Sequence, residues 1–433
     1  MSILKIESID SKGYGVAHLD GKTIFVEGAL PKETVTANIY KKKATFDWAK
    51  TTRILKESAF RVAPECAYFG TCGGCAMQHL ALHAQLASKA RALEDAFKHI
   101  GNVQAEILFA PIAGNAWSYR HRARLSVRYV AKKNEVLIGF HEKKSSFIMD
   151  MKSCAILPPK ISHLLIPLRK LIHSLSVFER VPQIEVSVGK ECVALVLRIL
   201  SPLNANDEER LKNFAHTYDV VFYLQEKGTE SLKRFYPLNN PELFYDLPEF
   251  DLKMPFLPTD FTQVNHAVNQ ILVRRALALL DVKKCDALAD FFCGLGNFTL
   301  PIARLASSVL GIEAKESLIA RAKQNANLNG IENAQFEAHN LFESVFFDSF
   351  DFSQFNKILI DPPREGAIDL VKALPQNNAS IEKIVYVSCN PATLARDAAV
   401  LVHCKNYVLK GAGVVNMFSH TAHVESIAVF EKR

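Results

Sequence analysis

The chain has 433 residues, 49% hydrophobic and 22% charged, with 52 Lys and Arg against 45 Asp and Glu. Length allows roughly three domains, and the composition is ordinary for a globular protein. No apolar run reaches the ~18 residues needed to span a membrane, and the charged start MSILKIESIDSKG lacks a signal-peptide core. A cytoplasmic protein without a membrane partner is expected.

Residues 1–57 carry short β-branched runs broken by Asp20-Gly21, Gly28 and Pro31, the pattern of a small β-barrel. Barrels of this kind often bind single-stranded nucleic acid. Next comes CAYFGTCGGC, which sets Cys66, Cys72 and Cys75 in a C-x5-C-x2-C spacing among three glycines. Nine cysteines in a cytoplasmic chain argue against a disulfide framework. A closed thiolate site needs a fourth ligand, and Cys154 is the nearest in sequence. Four thiolates suit zinc or an iron–sulfur cluster, and three close cysteines plus a distant one is the commoner pattern for clusters.

A helix is expected near 83–100, packing on the catalytic part of the chain. Residues 117 to about 255 read as mainly β with helical interruptions such as HLLIPLRKLIHSL. Within them YRHRARLSVRYV alternates, which places Arg120, Arg122, Arg124 and Arg128 on one strand face and Ala123, Leu125, Val127 and Tyr129 on the other. A row of guanidiniums without interleaved acids suits a polyanion such as nucleic acid, because Arg binds phosphate bidentately.

From about Phe261 the pattern becomes helix, then strands at 286–292, 308–313, 334–340, 357–361 and 383–388 alternating with helices. That order predicts an α/β unit with a parallel sheet. DFFCGLGNFTL is a strand, Gly-rich loop and helix, and Glu313 ends the next strand nineteen residues after Gly294, placed for ribose hydroxyls. Thr299 stands where a dinucleotide fingerprint wants a third glycine, so the loop fits S-adenosylmethionine as well as NAD. The fourth strand runs into Asp361-Pro-Pro, which suits a nucleobase methyltransferase, but Arg364 replaces the aromatic used in amine methylation. Attention passes to IVYVSCNPATLARD, where an apolar β-run ends in Cys389 and Pro391 stops the ladder. Taken alone, Cys389 favours the reading of a buried inert thiol over that of a working residue at a strand end.

Taken together, DFTQVN, DFFCGLGNFTL, DPPR, YVSCNPATLARD, MFSHTAHVES and the cysteine set resemble the RlmD-type 23S rRNA (uracil-5-)-methyltransferases over essentially the whole chain. The resemblance implies three domains: a TRAM/OB-like RNA-binding barrel (1–57), a mainly β central domain with a [4Fe–4S] cluster (58–260), and a Rossmann-like S-adenosylmethionine-dependent methyltransferase domain (261–433). It makes Cys389 the nucleophile and Glu425 the base. Cofactor contacts fall to Gln263, Phe292, Asn297, Glu313, Asn340 and Asp361, and the cluster to Cys66, Cys72, Cys75 and Cys154. A monomer acting on a flipped or single-stranded uridine of 23S rRNA is expected, with another rRNA uridine or tRNA as the alternative. One departure is that Asn416 and Ser419 stand where the family often has Asp and Pro.

Overall fold

The computed structural model describes residues 2–10, 12–239, 242–376 and 380–433. Their strands form three six- or eight-stranded sheets and one two-stranded ribbon. In the first sheet, Ser2–Lys5 lies at one edge and Ser8–Ile9 at the other, separated by two residues. The chain can join opposite edges so briefly because the sheet wraps around on itself, enclosing Leu4, Ile24, Val26, Val35 and Ala49. Buried Glu33 pins the exit of this unit by accepting from Arg61 Nε at 2.6 Å and from the Leu30 amide at 2.8 Å.

The second sheet runs Lys233–Tyr236, Val221–Gln225, Val193–Arg198, Gln183–Val188, Arg122–Val130, Glu135–Gly139. Helices Pro159–Ser174 and Ala205–Tyr218 bury Leu164, Leu168, Ile172, Leu211 and Phe214 in its core. The arginine row is less free than its spacing promises. Arg124 faces Glu185 on the adjacent strand at 2.8 Å, and Arg122 donates to the Asp260 carbonyl. The partners missing within the strand, a carboxylate and a backbone carbonyl, come from the neighbouring strand and a later loop, which sequence periodicity does not register.

The third sheet has the order Ala334–Ala338, Ser308–Glu313, Ala287–Phe291, Lys357–Ile360, Lys383–Ser388, Glu425–Lys432, Tyr407–Val415, Ile107–Leu108. The first five strands are parallel; Glu425–Lys432 runs antiparallel to Lys383–Ser388. Strand order reverses beside Ala287–Phe291, which opens a crevice at the carboxyl ends where such sheets bind ligands. Helix Leu82–Ala96 packs on this sheet through Leu93, Ala96 and Phe97. Ile107–Leu108 then pairs with Tyr407–Val415. The segment from Leu82 to Leu108 therefore joins the third sheet although it precedes the second in sequence. Among the described residues no helix is long and apolar enough to cross a membrane.

Candidate active site

The strand Lys383–Ser388 is buried along its length, so its end delivers Cys389 to the crevice. Asn390 caps the following helix, Pro391–Cys404, by accepting from the Ala392 amide at 3.1 Å. Pro391 starts that helix where an N–H would go unused, so Asn-Pro converts strand to helix at once. Asn390 Nδ2 also donates to the Arg364 carbonyl at 3.0 Å, tying the cysteine turn to the Asp361–Arg364 loop. Buried Asp397, about two helix turns further on, anchors the chain just after that loop, accepting from the Ala367 amide at 2.7 Å and Tyr386 Oη at 2.6 Å.

Register brings the other acid in. Ser388 pairs with Ser426 across the antiparallel strands, so Cys389 and Glu425, one step beyond, lie side by side. Asp361 follows Lys357–Ile360, the parallel neighbour of Lys383–Ser388, and completes a triangle of Cys389, Glu425 and Asp361 at the carboxyl ends of the parallel strands.

The triangle is electrostatically crowded. Burial, with Glu425 and Asp361 adding to it and Arg364 opposing, pushes the Cys389 thiol up to about 12. Burial and Asp361 push Glu425 up to about 8 against the pull of Lys89 and Arg364. Burial alone carries Asp361 to about 7. All three acids are held toward their neutral forms, and a cation placed beside them would favour their charged forms.

The cofactor loop lies beside this triangle. Phe292, Gly294 and Gly296 have φ of 66°, 57° and 94°, and a Cβ on Gly294 would meet nothing within 4 Å. Open space above a left-handed glycine lets a ligand approach the backbone. The Phe292 ring sits 5.7 Å from Phe342, and Glu313 ends Ser308–Glu313, its Oε1 accepting from the Lys315 amide at 3.1 Å. Asn340 is exposed, its Nδ2 on Glu343. Gln263 is half-buried just before the helix His266–Leu280. Asn297 spends its amide on the protein: Oδ1 accepts from Tyr245 and Asn269, and Nδ2 donates to Asn269 at 3.0 Å.

Cys66, Cys72, Cys75 and Cys154 converge on one small cavity closed by Tyr68, Phe140 and Ile156. All nine cysteines are free thiols. Burial raises Cys72, and it takes Cys75 to about 12 and Cys154 to about 11. Among the described residues, no group of three or more His, Cys, Asp or Glu is placed to hold a metal ion. A cleft of about 1210 Å³ runs from Tyr14 and Lys50 of the first sheet, past Arg120, Lys143 and Lys144, to Arg364 and His423 beside the triangle.

Three contributors escaped sequence reading. Asp290 lies under the cofactor loop, raised to about 8 by burial, with Thr299 Oγ1 at 2.5 Å on one oxygen and no partner on the other. Phe342 supplies the second ring. Lys89 is 2% exposed in helix Leu82–Ala96. Its signal was there: Gln85, Lys89, Leu93 and Phe97 fall at i, i+4 spacing on one face, an apolar stripe interrupted by a charge.

A parallel sheet with a Gly-rich ligand loop, and a cysteine and a carboxylate at its mouth, defines a nucleobase-modifying transferase. The chain belongs to the tRNA (uracil-5-)-methyltransferase family, whose model matches residues 81–433. It is 57% identical to a Nitrosospira multiformis protein named 23S rRNA (uracil(1939)-C(5))-methyltransferase RlmD, with 99% of this chain and 98% of that one covered. A Dechloromonas aromatica protein of the same name is 54% identical over the full length of both. Among solved structures, the Pyrococcus abyssi tRNA (uracil-54, C5)-methyltransferase in complex with S-adenosyl-L-homocysteine superposes with a TM-score of 0.76 at 25% identity. That match covers 99% of this chain and 100% of that one.

Proposed function

We propose that this chain transfers the methyl group of S-adenosylmethionine to C5 of a uridine in 23S rRNA, the one its relatives' names number 1939. The observation that carries the reading is the adjacency of Cys389 and Glu425 across paired strands, with Asp361 beside both. Uracil C5 is a poor nucleophile. Cys389 Sγ adds to C6, sending the C5–C6 π pair into an enolate that makes C5 nucleophilic. S-adenosylmethionine, when bound, supplies the electrophilic methyl and a positive charge. Glu425 then takes the C5 proton, the freed pair restores the double bond, and the C6–S bond breaks to return the thiolate.

The residues present fit that donor. The pocket's disfavoured acids are matched to a cation, and the glycine loop leaves open space at its backbone. In this reading Phe292 flanks the adenine, Glu313 holds ribose hydroxyls, and Gln263, Asn340, Asp361 and the Asn297 backbone complete the contacts. The target uridine leaves its stack to reach Cys389. The basic cleft from the first sheet to Arg364 supports a path for the RNA backbone. We read residues 1–57 as a TRAM-like RNA-binding barrel, 58–260 as a central domain and 261–433 as the methyltransferase domain, with the segment from Leu82 to Leu108 lent to the last. In this reading Cys66, Cys72, Cys75 and Cys154 hold a [4Fe–4S] cluster: all four thiols line one small cavity, and thiolates are the ligands such a cluster takes.

The test is transfer of isotopically labelled methyl from S-adenosylmethionine to unmodified 23S rRNA, with nucleosides separated by mass spectrometry. Label in 5-methyluridine, absent with Cys389→Ala, is expected. Label on a base amine or a ribose, or label persisting with Cys389→Ala, would overturn the reading.

A further inference from the structure

Helix Leu82–Ala96 buries Lys89 almost completely, and an ammonium so placed needs partners. Its Nζ donates to Asn416 Oδ1 at 2.8 Å and to the Phe418 carbonyl at 2.9 Å. Both acceptors are neutral, and among the described residues no carboxylate forms an ion pair with it. Strand Tyr407–Val415 ends with Val415 paired to Glu425, and Asn416 is the next residue. One turn earlier on the same helix, Gln85 Oε1 accepts from the His420 amide at 2.9 Å. Helix Leu82–Ala96 therefore grips the turn beside Glu425 at two levels. Asn416 Nδ2 adds a bond to Ser419 Oγ at 3.0 Å inside that turn.

The groups facing this pair come from several elements. Asp361, Arg364 and Cys389 surround Glu425, while His420 and His423 face Lys89 along with Glu425. Burial keeps His420 neutral, pulling it down to about 4. The positive charges acting on Glu425 are thus buried Lys89 and exposed Arg364.

We propose that Lys89 is the positioning residue for the catalytic base: its buried ammonium, fastened to two neutral acceptors of the 416–418 turn, holds Glu425 in place and draws it toward its carboxylate form for removal of the C5 proton. The proposal rests on the reading of Glu425 as that base. In this chain both acceptors are neutral, so they orient the charge without cancelling its field. Burial lowers Lys89 to about 8, and below that pH it keeps its own protons through the step. The C5 proton goes to Glu425, the C5–H pair forms the C5–C6 double bond, and the C6–S pair returns to Cys389. Glu425 afterwards releases the proton to water.

The test compares wild type, Lys89→Met, Lys89→Arg and Asn416→Asp in single turnover, following release of methylated RNA from the covalent complex from about pH 6 to about pH 9. Lys89→Met removes the charge and keeps the stem, so the acid limb of the release profile should move up by about one unit, tenfold slower at low pH and little changed at high pH. Lys89→Arg should restore the limb. Asn416→Asp introduces a carboxylate that cancels the ammonium and should move the limb up as well, without removing Lys89. Trapping on 5-fluorouridine RNA, which needs Cys389 but no C5 deprotonation, should be unchanged in all three. A uniform slowing of release across pH in Lys89→Met, or an unmoved limb in Asn416→Asp, would overturn the proposal. If Lys89→Met does not fold, the Asn416→Asp profile alone decides. Wild-type protein that fails to trap 5-fluorouridine RNA would instead overturn the reading of the reaction itself.

Discussion

Alkylation of the cofactor-free protein by iodoacetamide reads the charge state of Cys389 directly. Its thiol is pushed from an ordinary 9.0 up to about 12 by burial and by the facing acids. Three units leave about a thousandfold less thiolate at neutral pH, but a more basic thiolate is intrinsically more nucleophilic, with a Brønsted slope of about 0.4–0.5. The net expectation is alkylation roughly 30- to 60-fold slower than at an ordinary thiol. Its rate should rise about tenfold per pH unit with no plateau below about pH 11. The exposed thiols of Cys285 and Cys404 serve as references within the same chain. Glu425→Gln sharpens the test. Because Glu425 sits at about 8, the substitution should change little at pH 7, where the carboxyl is mostly neutral. Above pH 8 it removes a negative charge, and about one unit of relief gives roughly three- to fourfold faster alkylation. Peptide mass spectrometry over a pH series makes the measurement. A rate that levels off below about pH 10, or a Glu425→Gln effect equal at pH 7 and pH 9, would refute the electrostatic account.

Glu425→Gln should still form the cysteine adduct and methylate it, then stall. On ordinary uridine RNA, denaturing gels should show a methylated covalent complex, with turnover reduced about 10²- to 10⁴-fold. Asp290 is raised to about 8 by burial, so the stability it contributes is fully present below its unfolded value near 3.8 and is lost as pH rises through about 8. Asp290→Asn should therefore raise the melting temperature more at pH 8 than at pH 5; an equal change at both would contradict it. Cys154→Ser, which removes the buried member of the four-thiol cavity, should abolish bound iron and sulfide in anaerobically prepared protein and lower thermal stability. Unchanged iron content would exclude Cys154 as a ligand.

Much of the catalytic unit is legible in sequence because its strands are buried on both faces and read as apolar runs. The expected strands at 308–313 and 383–388 match Ser308–Glu313 and Lys383–Ser388. The strand expected at 334–340 stops at Ala338, which frees Asn340 for the loop beside Phe342. What stayed hidden is pairing between distant segments. The adjacency of Cys389 to Glu425 depends on the Ser388–Ser426 register, which no local pattern specifies. Lys89 lies 327 residues from Asn416 in sequence, and only folding joins them. The arginine strand fails in the same way: alternation identifies its faces but not Glu185 on the next strand. Local periodicity encodes elements, while the charges that tune the site arrive from other elements.

The most direct test of the central claim uses a 23S rRNA fragment carrying 5-fluorouridine at the target position. It is incubated with the protein and S-adenosylmethionine and run on a denaturing gel. Fluorine cannot leave C5 as a proton, so Glu425 has nothing to remove and Cys389 cannot depart. A shifted, methylated protein–RNA band, absent with Cys389→Ala, is the predicted result. No shift, in protein shown to bind both fragment and cofactor, would contradict attack by Cys389 at C6 and with it the account of this site.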